Sequence, residues 1–165
     1  MSQLSHTTTP FISKKFPIVV ICDGLNGPAN IGALFRTCEA FGVSEIIFCN
    51  AEIEMSSPRI KKTARGAQEK ISYKLSDDIL AEINSLKNRD YQCVALEITE
   101  TSIPIEKLIL SNRNIALVIG SEQDGISEKA LGIVSQSTHI TMYGENSSMN
   151  VIQATSIALH QLTKL

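Results

Sequence analysis

Short apolar runs alternate with stretches of helical periodicity along this chain. Residues 17–23 (PIVVICD) form a continuous apolar run, which predicts a buried strand. After a loop with two glycines and a proline, a helix is predicted from about Asn30, because apolar residues then recur at intervals of three and four. Gly42 stands where a helix-ending glycine is expected, and Arg36 falls on the polar face of this helix.

The same alternation continues to the C-terminus and predicts an α/β fold. Further strands are predicted at residues 45–50, 71–75, 91–97, 114–120 and 138–142, and further helices at 57–65, 77–88, after Ser127 and at 150–162. Strands that alternate with helices pair in parallel, so we expect a mostly parallel sheet with helices on both faces. A single domain over residues 15–165 is expected, preceded by a mobile tail at residues 1–14.

The composition agrees with one globular domain and excludes two broad kinds of nucleic-acid surface. The 165 residues are 43% hydrophobic and carry a formal net charge of −2. This near-neutral charge excludes a uniformly basic coat. An aromatic content of 5%, without tryptophan, argues against a platform that stacks single strands. Any contact with a polyanion must therefore be local.

The cysteines and the N-terminal residues predict a cytoplasmic protein without a metal. None of the four cysteines has CxxC spacing or a histidine at ligand spacing, so we expect reduced core thiols and no zinc site. They are Cys22, Cys38, Cys49 and Cys93. The first ten residues lack the apolar segment of a signal peptide, and no apolar run has the length of a membrane span.

Three polar loops follow predicted strands, at the edge where parallel sheets bind ligands. Asn30 lies in the loop after the first strand, and Glu122 lies in the loop after the strand at 114–120. Ser148 and Asn150 lie in the loop before the last helix. Each residue also has a structural interpretation: Asn30, Ser148 and Asn150 could cap helices, and Glu122 could occupy a turn between glycines. No single loop decides between the two.

Cations are concentrated between residues 58 and 74. This stretch holds six Lys or Arg and one carboxylate, a net charge of +5 against −7 for the rest of the chain. A solvated helix face is the alternative interpretation, but the contrast in charge favours a surface that contacts a phosphate backbone. Four of the cations fall on the predicted helix at 57–65: Arg59, Lys61, Lys62 and Arg65.

Common nucleotide-binding and hydrolase motifs are missing from the sequence. The loop after the first strand does not end in Gly-Lys-Ser/Thr, and neither GxGxxG nor GxSxG occurs. We expect structural roles for His6, His139 and His160, because no Cys or Ser is placed to pair with them.

Taken in order, the three polar loops resemble the three motifs of the SpoU/TrmH branch of the SPOUT RNA methyltransferases. Residues 30–42 (NIGALFRTCEAFG) match the first motif, and residues 117–126 (LVIGSEQDGI) match the second. The third is matched by residues 140–144 (ITMYG) followed by residues 148–151 (SMNV). The similarity extends over about residues 17–162, which is nearly the whole predicted domain.

Three positions depart from the usual pattern of that family. Thr141 stands where the family usually has proline, Ile152 where serine often occurs, and Met149 where leucine is usual. Methionine for leucine conserves side-chain volume. Because Ser148 and Asn150 are retained, we expect the departures to change the shape of the third loop more than the activity.

The resemblance implies S-adenosylmethionine as the methyl donor and a ribose 2′-hydroxyl of RNA as the acceptor. It also implies a SPOUT-type fold with a C-terminal trefoil knot, and a homodimer. In the family, the second and third motif loops form the knot and bind the cofactor, largely through backbone groups. The positions that this implies for cofactor binding are Leu96, Gly120, Ile140, Met142, Ser148 and Met149.

The resemblance also implies a set of catalytic residues centred on Arg36. The family mechanism often names this arginine as a general base, but a guanidinium normally stays protonated, so we favour stabilisation of the developing alkoxide. Asn30 would orient Arg36 or the ribose, and Glu122 would anchor donors in the site. Ser148 and Asn150 would shape the third loop. In the family, the arginine serves the cofactor bound mainly by the other subunit.

An RNA ribose 2′-O-methyltransferase is therefore the expected function. Its RNA-binding residues would be Arg59, Lys61, Lys62 and Arg65. Transfer RNA is the first expectation for the substrate, because no separate N-terminal RNA-binding domain is found in the sequence, and ribosomal RNA is the alternative. A non-catalytic RNA-binding protein with the same fold is a further alternative. A small-molecule methyltransferase is disfavoured by the basic stretch.

Overall fold

Seven parallel strands form one sheet in the computed structural model, which describes residues 12–146 and 148–164. The strands are β1 (Ile18–Asp23), β2 (Glu45–Cys49), β3 (Ser72–Ser76), β4 (Gln92–Leu96), β5 (Ile103–Pro104), β6 (Ile115–Gly120) and β7 (Gln136–His139). The helices are α1 (Pro28–Ala40), α2 (Pro58–Ala64), α3 (Ile79–Asn88), α4 (Glu128–Leu131) and α5 (Val151–Leu162).

The sheet separates two hydrophobic cores, which confirms the prediction of helices on both faces. Its strand order is β3-β2-β1-β6-β4-β7-β5. Along β1, Ile18 and Val20 pack in a core with residues of α1, α2 and α5, whereas Val19 and Ile21 pack in a core with α3 and α4. The carboxyl ends of β1, β6, β4 and β7 are neighbours in this order, so the polar loops that follow them meet at one edge.

Helices α1 and α2 pack closely at Gly32. A Cβ atom at this position would overlap the Thr63 hydroxyl and the Ile60 carbonyl oxygen of α2. A glycine is therefore required at this crossing, since any larger side chain would force the helices apart. The close packing places the cationic side of α2 beside the polar side of α1.

Helix α1 begins earlier than predicted, and this changes the interpretation of Asn30. Gly27 is the N-cap and Pro28 occupies the first turn, where its missing N–H and fixed φ are tolerated. Asn30 lies inside the first turn and does not cap the helix, so its structural interpretation as an N-cap is wrong. At the other end, Gly42 follows the C-cap with φ +65°, as the sequence predicts.

The strand predicted at 138–142 is wrong in its bounds, because β7 ends at His139. His139 is in register with Pro104 of β5, and a proline cannot donate a further hydrogen bond to the ladder. Strand β5 itself was not predicted; its two residues carry too little pattern. The predicted tail at residues 1–14 falls largely on residues 1–11, which lie outside the described residues.

Candidate functional site

A cleft of about 660 Å³ opens at the carboxyl ends of β4, β6 and β7. The loops after these three strands and the start of α5 supply its walls. All six positions implied for cofactor binding line it: Leu96, Gly120, Ile140, Met142, Ser148 and Met149. Because β7 ends at His139, Ile140 and Met142 lie in the loop beyond the strand, where they line the cleft.

Asn30, Glu122 and Asn150 are joined by hydrogen bonds at the edge of this cleft. The Asn30 amide nitrogen donates to the Glu122 carboxylate. The Asn150 amide nitrogen donates to Asn30 Oδ1 over 3.3 Å. One residue from each of the three polar loops therefore takes part in a single polar network.

Asn150 has a second role as the N-cap of α5. Its Oδ1 accepts from the backbone N–H of Ile152 over 2.9 Å and from that of Gln153 over 3.4 Å. The predicted capping role is thus confirmed for Asn150. Ser148, the other candidate, lies two residues before the cap and lines the cleft. The side chain of Asn150 thus links α5 to the network, because its Oδ1 accepts from the helix backbone and its amide nitrogen donates to Asn30.

Two carboxylates that sequence reasoning missed hold the loop between β6 and α4. Asp23 Oδ2 accepts from the backbone N–H of Ser127 over 2.9 Å, while its Oδ1 accepts from the amide of Asn50. Glu97, directly after β4, accepts from the backbone N–H of Ile126 over 3.2 Å. The signal that could have found both is a carboxylate placed at the end of a buried strand, which costs free energy unless it has a partner.

Among the described residues that line the cleft, the acidic side chains outnumber the basic ones. Glu97, Glu122 and Asp124 line it, and no Lys or Arg does. His139 also lines it, with Nδ1 at 2.9 Å from the hydroxyl of Ser102. The prediction that no Cys or Ser is placed to pair with His139 is therefore wrong, because Ser102 lies within hydrogen-bond distance of its ring.

Arg36 lies apart from the cleft, in a groove of about 590 Å³ between α1 and α2. Lys62 and Arg65 of the α2 segment line the same groove, together with Thr37 and Phe41. Within one chain, the structure therefore does not bring Arg36 together with the network at the cleft. It brings Arg36 together with two of the predicted RNA-binding cations instead.

The basic stretch separates into paired and unpaired cations. Lys70 Nζ lies 3.6 Å from the Glu39 carboxylate, and Lys74 Nζ lies 2.6 Å from that of Glu82. The other four are exposed and form no ion pair within residues 12–146 and 148–164: Arg59, Lys61, Lys62 and Arg65. Their charge is thus available to an anion, which the sequence count alone could not show.

The four cysteines are free and buried. Burial raises the pKa of each thiol, that of Cys49 to about 12, so all four are neutral at pH 7. Among the described residues, no group of three or more His, Cys, Asp or Glu could hold a metal ion. No helix in that part of the chain combines the length and the apolar character needed to cross a bilayer.

Residues 17–160 match the sequence model of the SpoU rRNA Methylase family. Two curated relatives are each 27% identical over 87% of this chain. One is the tRNA (guanosine(18)-2′-O)-methyltransferase of Aquifex aeolicus, over 144 residues and 67% of that protein. The other is the 23S rRNA (guanosine-2′-O-)-methyltransferase RlmB of Acinetobacter baylyi, over 145 residues and 58% of that protein.

The fold is similar to that of an AdoMet-bound rRNA methyltransferase from Sinorhizobium meliloti. The TM-score is 0.82 at 21% sequence identity, over 93% of this chain and 58% of the solved one. This chain thus spans 58% to 67% of the length of the curated relatives described above.

Proposed function

The chain belongs to the SpoU rRNA Methylase family, and on that premise we propose that it methylates a ribose 2′-hydroxyl of RNA with S-adenosylmethionine as the donor. The observation that carries this proposal is the hydrogen-bonded network of Asn30, Glu122 and Asn150 at the edge of the cleft. Three residues that are far apart in sequence are held together there, one from each motif. A loop residue that served only its own turn or cap would not need these partners.

The residues that line the cleft fit S-adenosylmethionine. Leu96, Ile140, Met142 and Met149 offer apolar surface for an adenine ring, and the loop after Gly120 offers backbone groups for its polar edge. The absence of Lys and Arg from the described lining suits a ligand with a positively charged sulfonium. When bound, the sulfonium supplies an activated methyl group with a neutral thioether as its leaving group.

Arg36 is proposed to activate the nucleophile. The 2′-hydroxyl gives up its proton to solvent as its oxygen attacks the methyl carbon, and a fixed guanidinium stabilises the alkoxide-like oxygen until the new O–C bond has formed. The same group can hold the adjacent phosphate and keep the ribose in line with the breaking bond. Asn30 and Glu122 keep the edge of the cleft in place, and Ser148 and Asn150 hold the loop of the third motif.

We propose that the active site is completed by a second copy of the chain. The position of Arg36 in the groove between α1 and α2, outside the cleft, supports this proposal. In a homodimer, the groove of one copy would face the cleft of the other. The resemblance to the SpoU/TrmH branch also supports a trefoil knot in the C-terminal segment, formed by the loops of the second and third motifs.

RNA is proposed to bind along α2, through Arg59, Lys61, Lys62 and Arg65. These four cations are exposed, and two of them, Lys62 and Arg65, line the groove that contains Arg36. We propose tRNA as the substrate and rRNA as the alternative; the relatives include enzymes named for each. A cytoplasmic location is also proposed, which four free buried thiols support, since thiols stay reduced there.

The test is a methyl-transfer assay with labelled S-adenosylmethionine and total RNA that lacks the modification. We expect label in one RNA class, and digestion to nucleosides should place it on a ribose 2′-oxygen. Separation of tRNA from rRNA before digestion decides between the two substrates. Binding of the cofactor and of RNA without any transfer would instead support the non-catalytic RNA-binding protein.

A further inference from the structure

Glu97 presents a carboxylate of fixed orientation to the cleft. It is the first residue after β4, is partly buried and lines the cleft. Its Oε1 accepts from the backbone N–H of Ile98 over 3.0 Å, and its Oε2 accepts from that of Ile126 over 3.2 Å. Both oxygens are thus held by the backbone, from two different segments of the chain.

Gly125 allows the loop of the second motif to approach this carboxylate. It has φ +65°, and a Cβ atom there would lie 2.7 Å from Glu97 Oε2. A larger residue would push the carboxylate away or distort the loop. The position of the carboxylate is therefore set by the same loop that carries Glu122.

Each carboxylate oxygen accepts more than one hydrogen bond, so Glu97 keeps acceptor capacity on the side that faces the cleft. A carboxylate beyond the end of a parallel strand is a common partner for ribose hydroxyls in α/β folds. A vicinal diol offers two donors that match two oxygens of fixed orientation. A sulfonium offers no donor, and its attraction to a negative charge does not require that the carboxylate be oriented.

We propose that Glu97 accepts hydrogen bonds from the ribose hydroxyls of the cofactor's adenosine and so determines the specificity of the cleft for a ribonucleoside. This inference rests on the proposed function, in which the cleft binds S-adenosylmethionine. No motif of the sequence includes Glu97, because it lies between the first and second motifs. Its role follows from the contacts at the end of β4.

The first experiment measures cofactor binding by calorimetry on the full chain and on the variants Glu97→Gln and Glu100→Gln. Glu100 is exposed, lies three residues away and does not line the cleft, so it controls for the loss of a charge. We expect Glu97→Gln to raise the Kd for S-adenosylmethionine and for S-adenosylhomocysteine about tenfold, because a charge-assisted hydrogen bond is replaced by a neutral one. Glu100→Gln should stay within about twofold.

The second experiment separates a direct contact from a structural effect on the loop. The native chain should bind the 2′-deoxy and 3′-deoxy ribose analogues of S-adenosylhomocysteine more weakly than the parent compound. In Glu97→Gln this discrimination should largely disappear, since its partner is lost. A variant that merely loosens the loop would weaken all three ligands equally and keep the discrimination.

Three results would overturn the inference. Unchanged affinity of Glu97→Gln would remove Glu97 from the cofactor site while leaving the proposed function intact. A much larger loss for S-adenosylmethionine than for S-adenosylhomocysteine would make the sulfonium, and not the ribose, the partner of Glu97. No binding of S-adenosylmethionine by the native chain would overturn the proposed function and this inference with it.

Discussion

The cleft at the strand ends and the groove between α1 and α2 are similar in size but opposite in charge. The cleft is lined by Glu97, Glu122 and Asp124, without Lys or Arg among its described lining residues. The groove is lined by Arg36, Lys62 and Arg65, without a carboxylate among its own. The two regions therefore suit ligands of opposite charge, a cationic cofactor and a phosphate backbone.

Opposite charges would keep the two reactants of the proposed reaction at separate sites until the reaction begins. Each region attracts one of them and repels the other, so neither site is blocked by the wrong ligand. The cost of this separation is that one chain alone does not bring Arg36 to the cleft. Variants that affect one region but not the other test whether the division is real.

The largest effect is expected for Arg36→Ala. Loss of a group that stabilises developing negative charge typically lowers the rate by about 10² to 10³-fold. The Kd for S-adenosylmethionine should change by less than about twofold, because Arg36 does not line the cleft of its own chain and, in the proposed dimer, contacts the ribose and its phosphate. Methyl transfer under single-turnover conditions, together with calorimetry, measures both quantities.

The matched control for Arg36 is Arg113→Ala. Arg113 is an exposed arginine in the bend before β6 and lines neither region. Methyl transfer at the native rate is expected for this control. A native rate for Arg36→Ala as well would remove the assigned role, and a loss of cofactor affinity would show that the two regions are not independent.

A smaller effect is expected for Asn150→Ala, which alters the cleft and spares the groove. This change removes the cap of α5, so the free energy of unfolding should fall by about 1 kcal/mol in urea denaturation. Asn150→Ser is the matched variant, because serine caps equally well but has no amide to donate to Asn30. It should keep most of the stability and still lower the rate of methyl transfer.

Equal stability losses for the two Asn150 variants would mean that the cap is not what the residue contributes. A native rate for Asn150→Ser would mean that its bond to Asn30 has no part in the reaction. Either result would leave the difference in charge between the regions untouched, since Asn150 carries no charge.

The smallest effect is expected for Lys62→Ala in the groove. Loss of one phosphate contact should weaken RNA binding a few-fold and lower the slope of log K against log salt concentration by about 0.7 to 0.9. Lys70→Ala is the control, because Lys70 is paired with Glu39 and should contribute less. RNA binding measured at several salt concentrations gives both numbers. An equal loss for the two lysines would mean that ion pairing does not decide which cations bind RNA.

Much of the fold could be predicted because long apolar runs and helical periodicity are local signals. The alternation along residues 17–42 predicted β1 and α1, and the glycine that ends the helix, to within a few residues. The end of β7 could not be predicted, since it depends on pairing with the two residues of β5. A strand of two residues has no period to detect.

The candidate site was predicted in part. The motif resemblance placed Asn30, Glu122 and Asn150 together, and their hydrogen bonds agree with that grouping. Glu97 and Asp23 were missed because each acts on a loop far away in sequence: Asp23 binds the N–H of a residue 104 positions later. Such contacts depend on the strand order of the sheet, which is not a property of any local segment.

The network at the edge of the cleft also has a consequence for how the chain folds. Asn30 forms hydrogen bonds with Glu122 and Asn150, which lie 92 and 120 positions later in the sequence. Contacts of such separation form only after large loops have closed, and parallel sheets with many of them fold slowly. During refolding, helical content should therefore recover before affinity for the cofactor does. Cofactor binding would then report that the network has formed, and a chain still being synthesised could not become active before α5 had emerged from the ribosome.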